Sequence, residues 1–287
     1  WNISRFMLMS IDDPQIDVKK PEGKTLADKW ILEQLENIKY TIGVSFANYD
    51  FSYAGESLRN FTWVELADWY LEIAKIEKYK SEILNYILNT ILKLWHPFMP
   101  FVTEAIWQEI YGGEKMLLVE KWPKTQDHVN LTDANIDFLY LKEIITGVRS
   151  LRAEYKIEPI KKLDVSVSAG AKEKLLQENA EAIKFLARLK NLRIAKKIEK
   201  PLSSVGFVAL DVEVFIDMAE AVDIKKEKPR LEKEIAEIKK YISGLENKLS
   251  NQEFVSNAPP AVVEKEKAKL SEAQGKLEKL EEQLGNL

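Results

Sequence analysis

The chain has 287 residues, 46% of them hydrophobic, and no apolar run reaches the roughly 18 residues of a membrane-spanning helix, so we expect two or three globular domains. It contains no cysteine and only two histidines, His96 and His128, which excludes disulfides, thiolate metal sites and a structural zinc site. Its formal net charge of −4 provides no overall positive field, so any RNA-binding surface must be local, and we expect a cytoplasmic, metal-free protein that does not enter a membrane.

Successive amphipathic helices are predicted from Trp1 to about Lys156, which indicates a helical bundle. The apolar helical pattern is already present at Trp1, which suggests that the sequence begins inside a longer protein. Thr25 and Asp28 have the spacing of a capping box, so a helix should begin there. Four further helices are expected over residues 51–75, 81–95, 97–112 and 132–155. Four tryptophans are expected in the core: Trp63, Trp69, Trp95 and Trp107.

The pattern of the sequence changes twice after residue 156. Residues 157–222 contain β-branched stretches around one helical stretch, Ala171 to Leu189, which indicates a small α/β domain. Residues 223–287 carry apolar residues three and four positions apart, interrupted across Ser250 to Pro260. The predicted fold is therefore mainly α, with a helical bundle (1–156), a small α/β domain (157–222) and a C-terminal antiparallel coiled-coil hairpin (223–287).

The apolar positions of the hairpin also predict its register, because facing residues of an antiparallel pair have a nearly constant sum of position numbers. Leu231 facing Leu280 sets a register that the other layers fit. In this register Leu245 faces Glu266, so one layer near the tip is predicted to be defective. At about 1.5 Å per residue, the two helices would form an arm roughly 35 to 40 Å long.

No catalytic constellation is recognisable in the sequence. It has no glycine-rich phosphate loop, no nucleophile elbow and no cluster of metal-ligand residue types. His96 precedes Pro97 at a predicted helix end, and we interpret it as a helix-end residue and not as a general base.

Basic residues provide the candidate contacts to RNA phosphates, in three groups. Four have helical spacing and form one stripe on the last helix of the bundle: Lys142, Arg149, Arg152 and Lys156. Seven basic residues stand against one acidic residue between Lys184 and Lys200, and the candidates among them are Arg188, Lys190, Arg193, Lys196 and Lys197. The hairpin contributes Lys239, Lys240, Lys248, Lys265, Lys267 and Lys269. An ordinary solvated surface would explain the stripe and the hairpin lysines equally well.

Three further residues are candidates for contacts to bases. Asn2 and Arg5 form a polar pair at helical spacing, and an arginine fork can bond a base or a phosphate. On spacing alone, a capping or salt-bridging role explains this pair too. Trp30 lies near a helix start beside Lys29, where an aromatic ring could stack on an unpaired base.

Several segments resemble the valyl-tRNA synthetase family of the bacterial type, in the family's order and over essentially the whole chain. Segment 1–6 (WNISRF) resembles the family's helix that leads from the catalytic core, and segment 27–32 (ADKWIL) resembles the start of the next helix. Segments 63–72 and 96–104 (WVELADWYLE and HPFMPFVTE) resemble the anticodon-binding bundle shared by the valine, isoleucine, leucine and methionine enzymes. The valine family is favoured by residues 148–154, by Phe254-Val255, Ala258-Pro259 and 262–264 at the tip, and by the hairpin itself. Isoleucine enzymes commonly end in a cysteine-ligated zinc module, which this sequence cannot form.

The resemblance implies an anticodon-binding bundle, in which Asn2 and Arg5 hydrogen-bond and Trp30 stacks, and an arm that packs on the outer corner of valine-accepting tRNA. It also implies a parent valine-tRNA ligase that uses ATP. The catalytic and editing domains of that parent are missing here, so the chain itself should need no cofactor, be inactive alone and be a monomer. The alternative is a structural coiled-coil adaptor that binds another protein.

Overall fold

The computed structural model describes residues 1–16, 18–125, 133–202, 204–218, 224–251 and 259–285. Two compact units make up the chain, Trp1–Glu143 and Ile144–Leu287, and their boundary falls within a helix. The predicted division at residues 156 and 222 stays a prediction; the second boundary, the hairpin tip at Phe254, Val255 and Ala258, and His128 lie outside the described residues. Within those residues, no helix is long and apolar enough to cross a bilayer.

The helices of the first unit follow the predicted order. They are α1 (Asn2–Leu8), α2 (Leu26–Ala47), α3 (Phe51–Asn60), a π-helical segment (Phe61–Tyr70), α4 (Leu71–Ala74), α5 (Ser81–Trp95), α6 (Pro100–Tyr111) and α7 (Asp133–Glu154), the last of which continues into the second unit. The predicted capping box is present, since the Thr25 hydroxyl accepts the Asp28 N–H at 3.2 Å and the Asp28 carboxylate accepts the Thr25 N–H at 3.1 Å. Helices were thus predictable from apolar periodicity and end signals.

The π-helical segment is the main departure from the predicted helices. Its buried residues are four or five positions apart, as in Phe61, Leu66 and Tyr70, which suits the wider turn of a π-helix. This turn exposes 49% of Trp63, so its predicted core position is wrong. Trp69 and Trp107 are buried as predicted.

A buried ion pair fixes the start of α2 against α5. The Asp28 carboxylate accepts hydrogen bonds from Lys80 Nζ at 2.6 Å and from the Tyr70 hydroxyl at 2.8 Å. Burial opposes the ionisation of Asp28, but the hydrogen bonds and the charge of Lys80 outweigh it and lower the pKa of the carboxyl. Burial and the Asp28 charge raise the pKa of the Tyr70 hydroxyl, which therefore stays a donor.

The second unit contains a four-stranded mixed sheet. Its strands are β1 (Leu163–Ser168), β2 (Leu189–Ala195), β3 (Ser204–Ala209) and β4 (Val212–Asp217), in the order β2-β1-β4-β3. Strands β1 and β2 are parallel, and the other pairs are antiparallel. The sequence predicted three of these strands and missed β2, because its alternation is masked by basic residues.

Short helices cross between β1 and β2 where one helical stretch was predicted. They are α8 (Glu173–Glu178) and α9 (Ala180–Ala187), preceded by a 3-10 turn and separated at Asn179. Strand β3 packs against α7 at Gly147, where an added Cβ would lie 2.1 Å from the Phe207 ring. A side chain at position 147 would therefore have to displace the Phe207 ring.

The predicted hairpin is formed by α10 (Ile224–Ser250) and α11 (Pro260–Gly285). Leu231, Ile235 and Leu280 form a buried cluster, and Ile238, Leu277 and Leu284 pack against it. These contacts agree with the predicted register, in which Leu231 faces Leu280. A mainly α fold with a small sheet and a terminal hairpin is confirmed.

The predicted defective layer is present near the tip of the hairpin. Leu245 and Glu266 are both buried in the seam, although one is apolar and the other charged. The Glu266 carboxylate accepts hydrogen bonds from Lys269 at 2.8 Å and forms an ion pair with Lys248 at 3.3 Å. Hydrogen bonds from Lys269 and Lys248 lower the pKa of Glu266, so the seam holds a carboxylate that both helices neutralise.

Candidate nucleic-acid interface

The stripe on α7 begins with Lys142, whose amine is already occupied. It forms an ion pair with Glu65 of the π-helical segment and lies 4.6 Å from the centre of the Trp30 ring. A cation over an aromatic face is attracted by the ring electrons, so these contacts hold the middle of α7 against the bundle. Lys142 therefore connects helices within the first unit.

The two arginines of the stripe bond carbonyl groups of the second unit. Arg149 donates through Nε and Nη2 to the Leu186 carbonyl at 3.2 and 3.0 Å. Arg152 is 8% exposed and donates through Nη2 to the carbonyls of Glu158 at 3.0 Å and Lys161 at 2.6 Å. Both guanidinium groups thus stabilise the chain that follows α7, although only Arg152 is buried and Arg149 is exposed.

Lys156, like Arg149, is an exposed residue of the stripe. It follows α7 in the left-handed region, at a φ of 50°, and its side chain is 61% exposed. Its amine lies 3.8 Å from Glu234 of the hairpin. Three of the four residues therefore share α7, Lys156 lies just beyond its end, and the four do not form one continuous solvent-facing row.

Trp30 lies in the core of the first unit. Its ring stacks on Phe138 with centroids 3.9 Å apart and an interplanar angle of 10°, and 3% of the residue is exposed. With Phe138 on one face and Lys142 over the ring, no face is open to an incoming base. This packing gives the predicted stacking role of Trp30 no support.

Asn2 and Arg5 lie on α1, and both are exposed. Arg5 lines a groove of about 470 Å³ together with Trp1, Leu8, Ile106 and Glu109, among others. Within the described part of the chain, the Arg5 side chain has no hydrogen-bond or salt-bridge partner. Its planar fork is therefore available to a ligand in a groove with an apolar wall.

The second basic group lies on β2, an edge strand of the sheet, and directly before and after it. Lys190, Arg193, Lys196 and Lys197 are exposed on the strand and just beyond it. Lys190 lies 4.0 Å from Asp164, and Arg188 donates to the Pro159 carbonyl at 3.1 Å. An edge strand with exposed basic side chains offers a row of donors along which a phosphate backbone could lie.

The hairpin lysines divide into paired and unpaired groups. Lys239 contacts Glu281 at 2.7 Å, Lys267 contacts Glu264 at 3.1 Å, and Lys248 and Lys269 both contact Glu266. Lys240 and Lys265 are exposed and, among the described residues, have no salt-bridge partner. The surface charge of the hairpin is therefore largely balanced.

A further basic surface was missed by the sequence analysis. Five lysines from different segments line one groove of about 290 Å³ in the first unit, and we call it the lysine groove: Lys20, Lys39, Lys93, Lys121 and Lys124. They come from four separate parts of the chain, so no spacing rule groups all five. Only the fold brings them together.

Comparisons with known proteins address both ends of the chain. Residues 28–167 match the family model for the anticodon-binding domain of tRNA ligase. Residues 223–287 match the family model for the valyl tRNA synthetase tRNA binding arm. The two matched regions coincide with most of the helical bundle and with the hairpin.

Similar full-length proteins are valine-tRNA ligases. That of Bacillus thuringiensis subsp. konkukian is 34% identical over 299 aligned residues, which cover 100% of this chain and 34% of the relative. That of Carboxydothermus hydrogenoformans is 35% identical, with coverage of 100% and 34%. That of Geobacter sulfurreducens is 34% identical, with coverage of 95% and 32%. The chain spans about a third of the length of the curated relatives it matches.

Proposed function

Because the chain belongs to the valyl-tRNA synthetase family, we propose that it is the tRNA-binding, C-terminal portion of a valine-tRNA ligase. The observation that carries this proposal is the presence of two tRNA-binding modules in one chain, one in the bundle and one in the hairpin. Neither module brings a catalytic constellation with it. The activity of the chain itself is therefore binding.

The bundle reads the anticodon in this proposal. Arg5 supports it best, because its guanidinium is exposed and unpaired among the described residues and borders a groove large enough for a base. Asn2, on the same exposed helix, adds an amide that can donate and accept. In this proposal Trp30 is a buried core residue that supports α7 by stacking on Phe138.

The hairpin braces the outer corner of the tRNA, and the edge strand β2 contacts its backbone. Arg193, Lys196 and Lys197 support the second contact because they are exposed. The hairpin has few unpaired lysines, so its contribution is shape and reach more than charge. Phosphate contacts set affinity and salt dependence, whereas base contacts set sequence preference.

Parts of the parent enzyme complete the activity. We propose that the catalytic and editing domains of the same protein bind ATP, activate valine and correct mischarged tRNA, in the cytoplasm. In this proposal the chain acts as a monomer and orients the bound tRNA for that reaction. A module that positions a substrate raises the effective concentration of the reacting groups.

The test is a tRNA-binding titration with the whole chain. Transfer RNA with a valine anticodon should bind more tightly than the same tRNA with a swapped anticodon, and Arg5→Gln should reduce this preference. Weak but salt-sensitive binding is expected without the parent's other domains. An absence of binding below tens of micromolar at low salt would overturn the proposal and favour a protein-binding adaptor; equal discrimination by the Arg5→Gln variant would overturn the role of Arg5 alone.

A further inference from the structure

We propose that the lysine groove binds backbone phosphates of RNA, as a second contact between the bundle and tRNA. This inference rests on the proposed function and deepens it. The groove lies in the first unit, between α2, α5 and two extended segments that carry Lys20 and Lys121. It shares no residue with the groove at Arg5.

The fold builds the groove by tethering both extended segments to α5. The Asn89 side chain donates to the Ile16 carbonyl at 3.0 Å, which holds the segment that leads to Lys20. On the opposite side, Lys93 pairs with Glu120 at 3.2 Å, which holds the segment with Lys121 and Lys124. The position of the lysines is therefore set by contacts that the ligand does not have to form.

A buried acidic residue organises the floor of the groove. Glu36 is 4% exposed and accepts two hydrogen bonds from Lys39, each of 2.8 Å, and one from the Tyr86 hydroxyl at 3.1 Å. Burial and the charge of Glu36 raise the pKa of Tyr86, which keeps this hydroxyl protonated. Lys20 approaches the same carboxylate at 3.7 Å. The charge of Glu36 is thus satisfied from within the floor.

The charges of the groove do not cancel. Five lysines stand against Glu36 in its lining and Glu120 beside Lys93, which leaves a formal charge of +3. Lys121 and Lys124 are exposed and, within the described residues, have no salt-bridge partner. They are the two ammonium groups that an anion would meet first.

The lining favours phosphate over an acidic peptide. Apart from the lysine stems and the Tyr86 ring, only Val18 and Pro123 are apolar, so the groove offers little surface to anchor side chains. Apart from the Glu36 carboxylate, which Lys39 and Tyr86 already satisfy, its other contacts are amide, hydroxyl and ammonium groups, the usual partners of nucleic-acid phosphates. Because lysine acts as a point charge, the groove should read phosphate position and not base identity.

The test compares two doubly substituted chains of equal charge. Lys121→Gln with Lys124→Gln changes the groove, whereas Lys78→Gln with Lys115→Gln changes exposed lysines of the same unit that do not line it. The groove variant should bind tRNA about tenfold more weakly at low salt, and its logarithmic salt slope should fall by about 1 for each lysine removed. The control should match the parent, and thermal unfolding should be unchanged in both.

The outcomes separate this inference from the proposed function. Equal affinities and slopes in the two variants, with tRNA binding intact in the parent, would overturn the groove and leave the function standing. A parent chain that binds no tRNA would overturn the function. In that case the groove is tested by lysine acetylation of the chain with and without an RNA duplex. Protection of Lys121 and Lys124 by the duplex would support the groove as an RNA site, whereas equal acetylation with and without the duplex would overturn it.

One additional measurement distinguishes binding of RNA from binding of a small anion. Inorganic phosphate alone, at the ionic strength of the RNA experiment, should leave the acetylation of Lys121 and Lys124 unchanged, because a single phosphate does not engage the surrounding backbone contacts. Full protection by inorganic phosphate would assign the groove to a free anion and overturn the RNA assignment.

Discussion

The stripe on α7 and the edge strand β2 carry comparable positive charge but use it differently. Arg149 and Arg152 direct their guanidinium groups at backbone carbonyls, so their charge holds the fold together. Arg193, Lys196 and Lys197 are exposed beside a strand that has a neighbour on one side only. Helical spacing of basic residues therefore indicates a shared face without indicating what that face contacts, whereas the basic side chains on and beyond β2 are available because they are exposed.

The largest effect that sharpens this contrast is expected at Arg152. Arg152→Met should lower the free energy of unfolding by about 2 to 3 kcal/mol, because the carbonyls of Glu158 and Lys161 lose the charged donor that a buried side chain holds against them. Arg193→Met, the control on β2, should change it by no more than about 0.5 kcal/mol. Urea unfolding measures both, and equal stabilities would contradict the structural role of Arg152.

The second-largest effect is expected on RNA affinity, at the basic residues on and beyond β2. Combined replacement of Arg193, Lys196 and Lys197 by Gln should weaken tRNA binding at least about tenfold and reduce the salt slope by about 3. Stability should be unchanged, because these side chains are exposed. A salt titration of tRNA binding, with Arg149→Gln as the matched stripe variant, provides the measurement; a larger loss of slope in the stripe variant would reverse the comparison.

The smallest effect tests a charge that is both buried and paired. The pKa of Glu266 is lower in the folded hairpin than its ordinary value of 4.5, so the folded state binds fewer protons there. The contribution of Glu266 is therefore present above that value and is lost as pH falls through the folded pKa. Glu266→Leu should remove this acid sensitivity and, by filling the layer opposite Leu245, raise Tm at pH 7 by about 2 °C. Thermal melts between pH 3 and 7 would contradict this if both proteins lost stability in parallel.

Local rules predicted much of the fold. The capping box at Thr25, three strands and the hairpin register all follow from side-chain chemistry within one or two elements. The π-helical segment could not be predicted, because its buried residues differ from α-helical spacing by less than one position per turn. Trp63, which lies in this segment, is exposed.

The candidate site was less predictable than the fold, for a physical reason. The partner of Arg152 is a set of backbone carbonyls, and backbone carbonyls leave no signature in a sequence. The burial of Trp30 depends on Phe138, more than a hundred positions away. The lysine groove likewise needs α2, α5 and two extended segments in place before its charges meet. Recognition surfaces that are assembled from distant segments cannot be predicted from sequence spacing, because the fold must bring the segments together.

Gly147 is a position at which a temperature-sensitive allele of this protein can be made. A glycine within a helix normally gains stability on replacement by alanine, by up to about 1 kcal/mol, but here the added methyl group would displace the Phe207 ring. A Gly147→Ala allele should therefore fold at low temperature and lose abundance on warming. Phe207→Ala should act as its second-site suppressor, because it vacates the space that the methyl group needs.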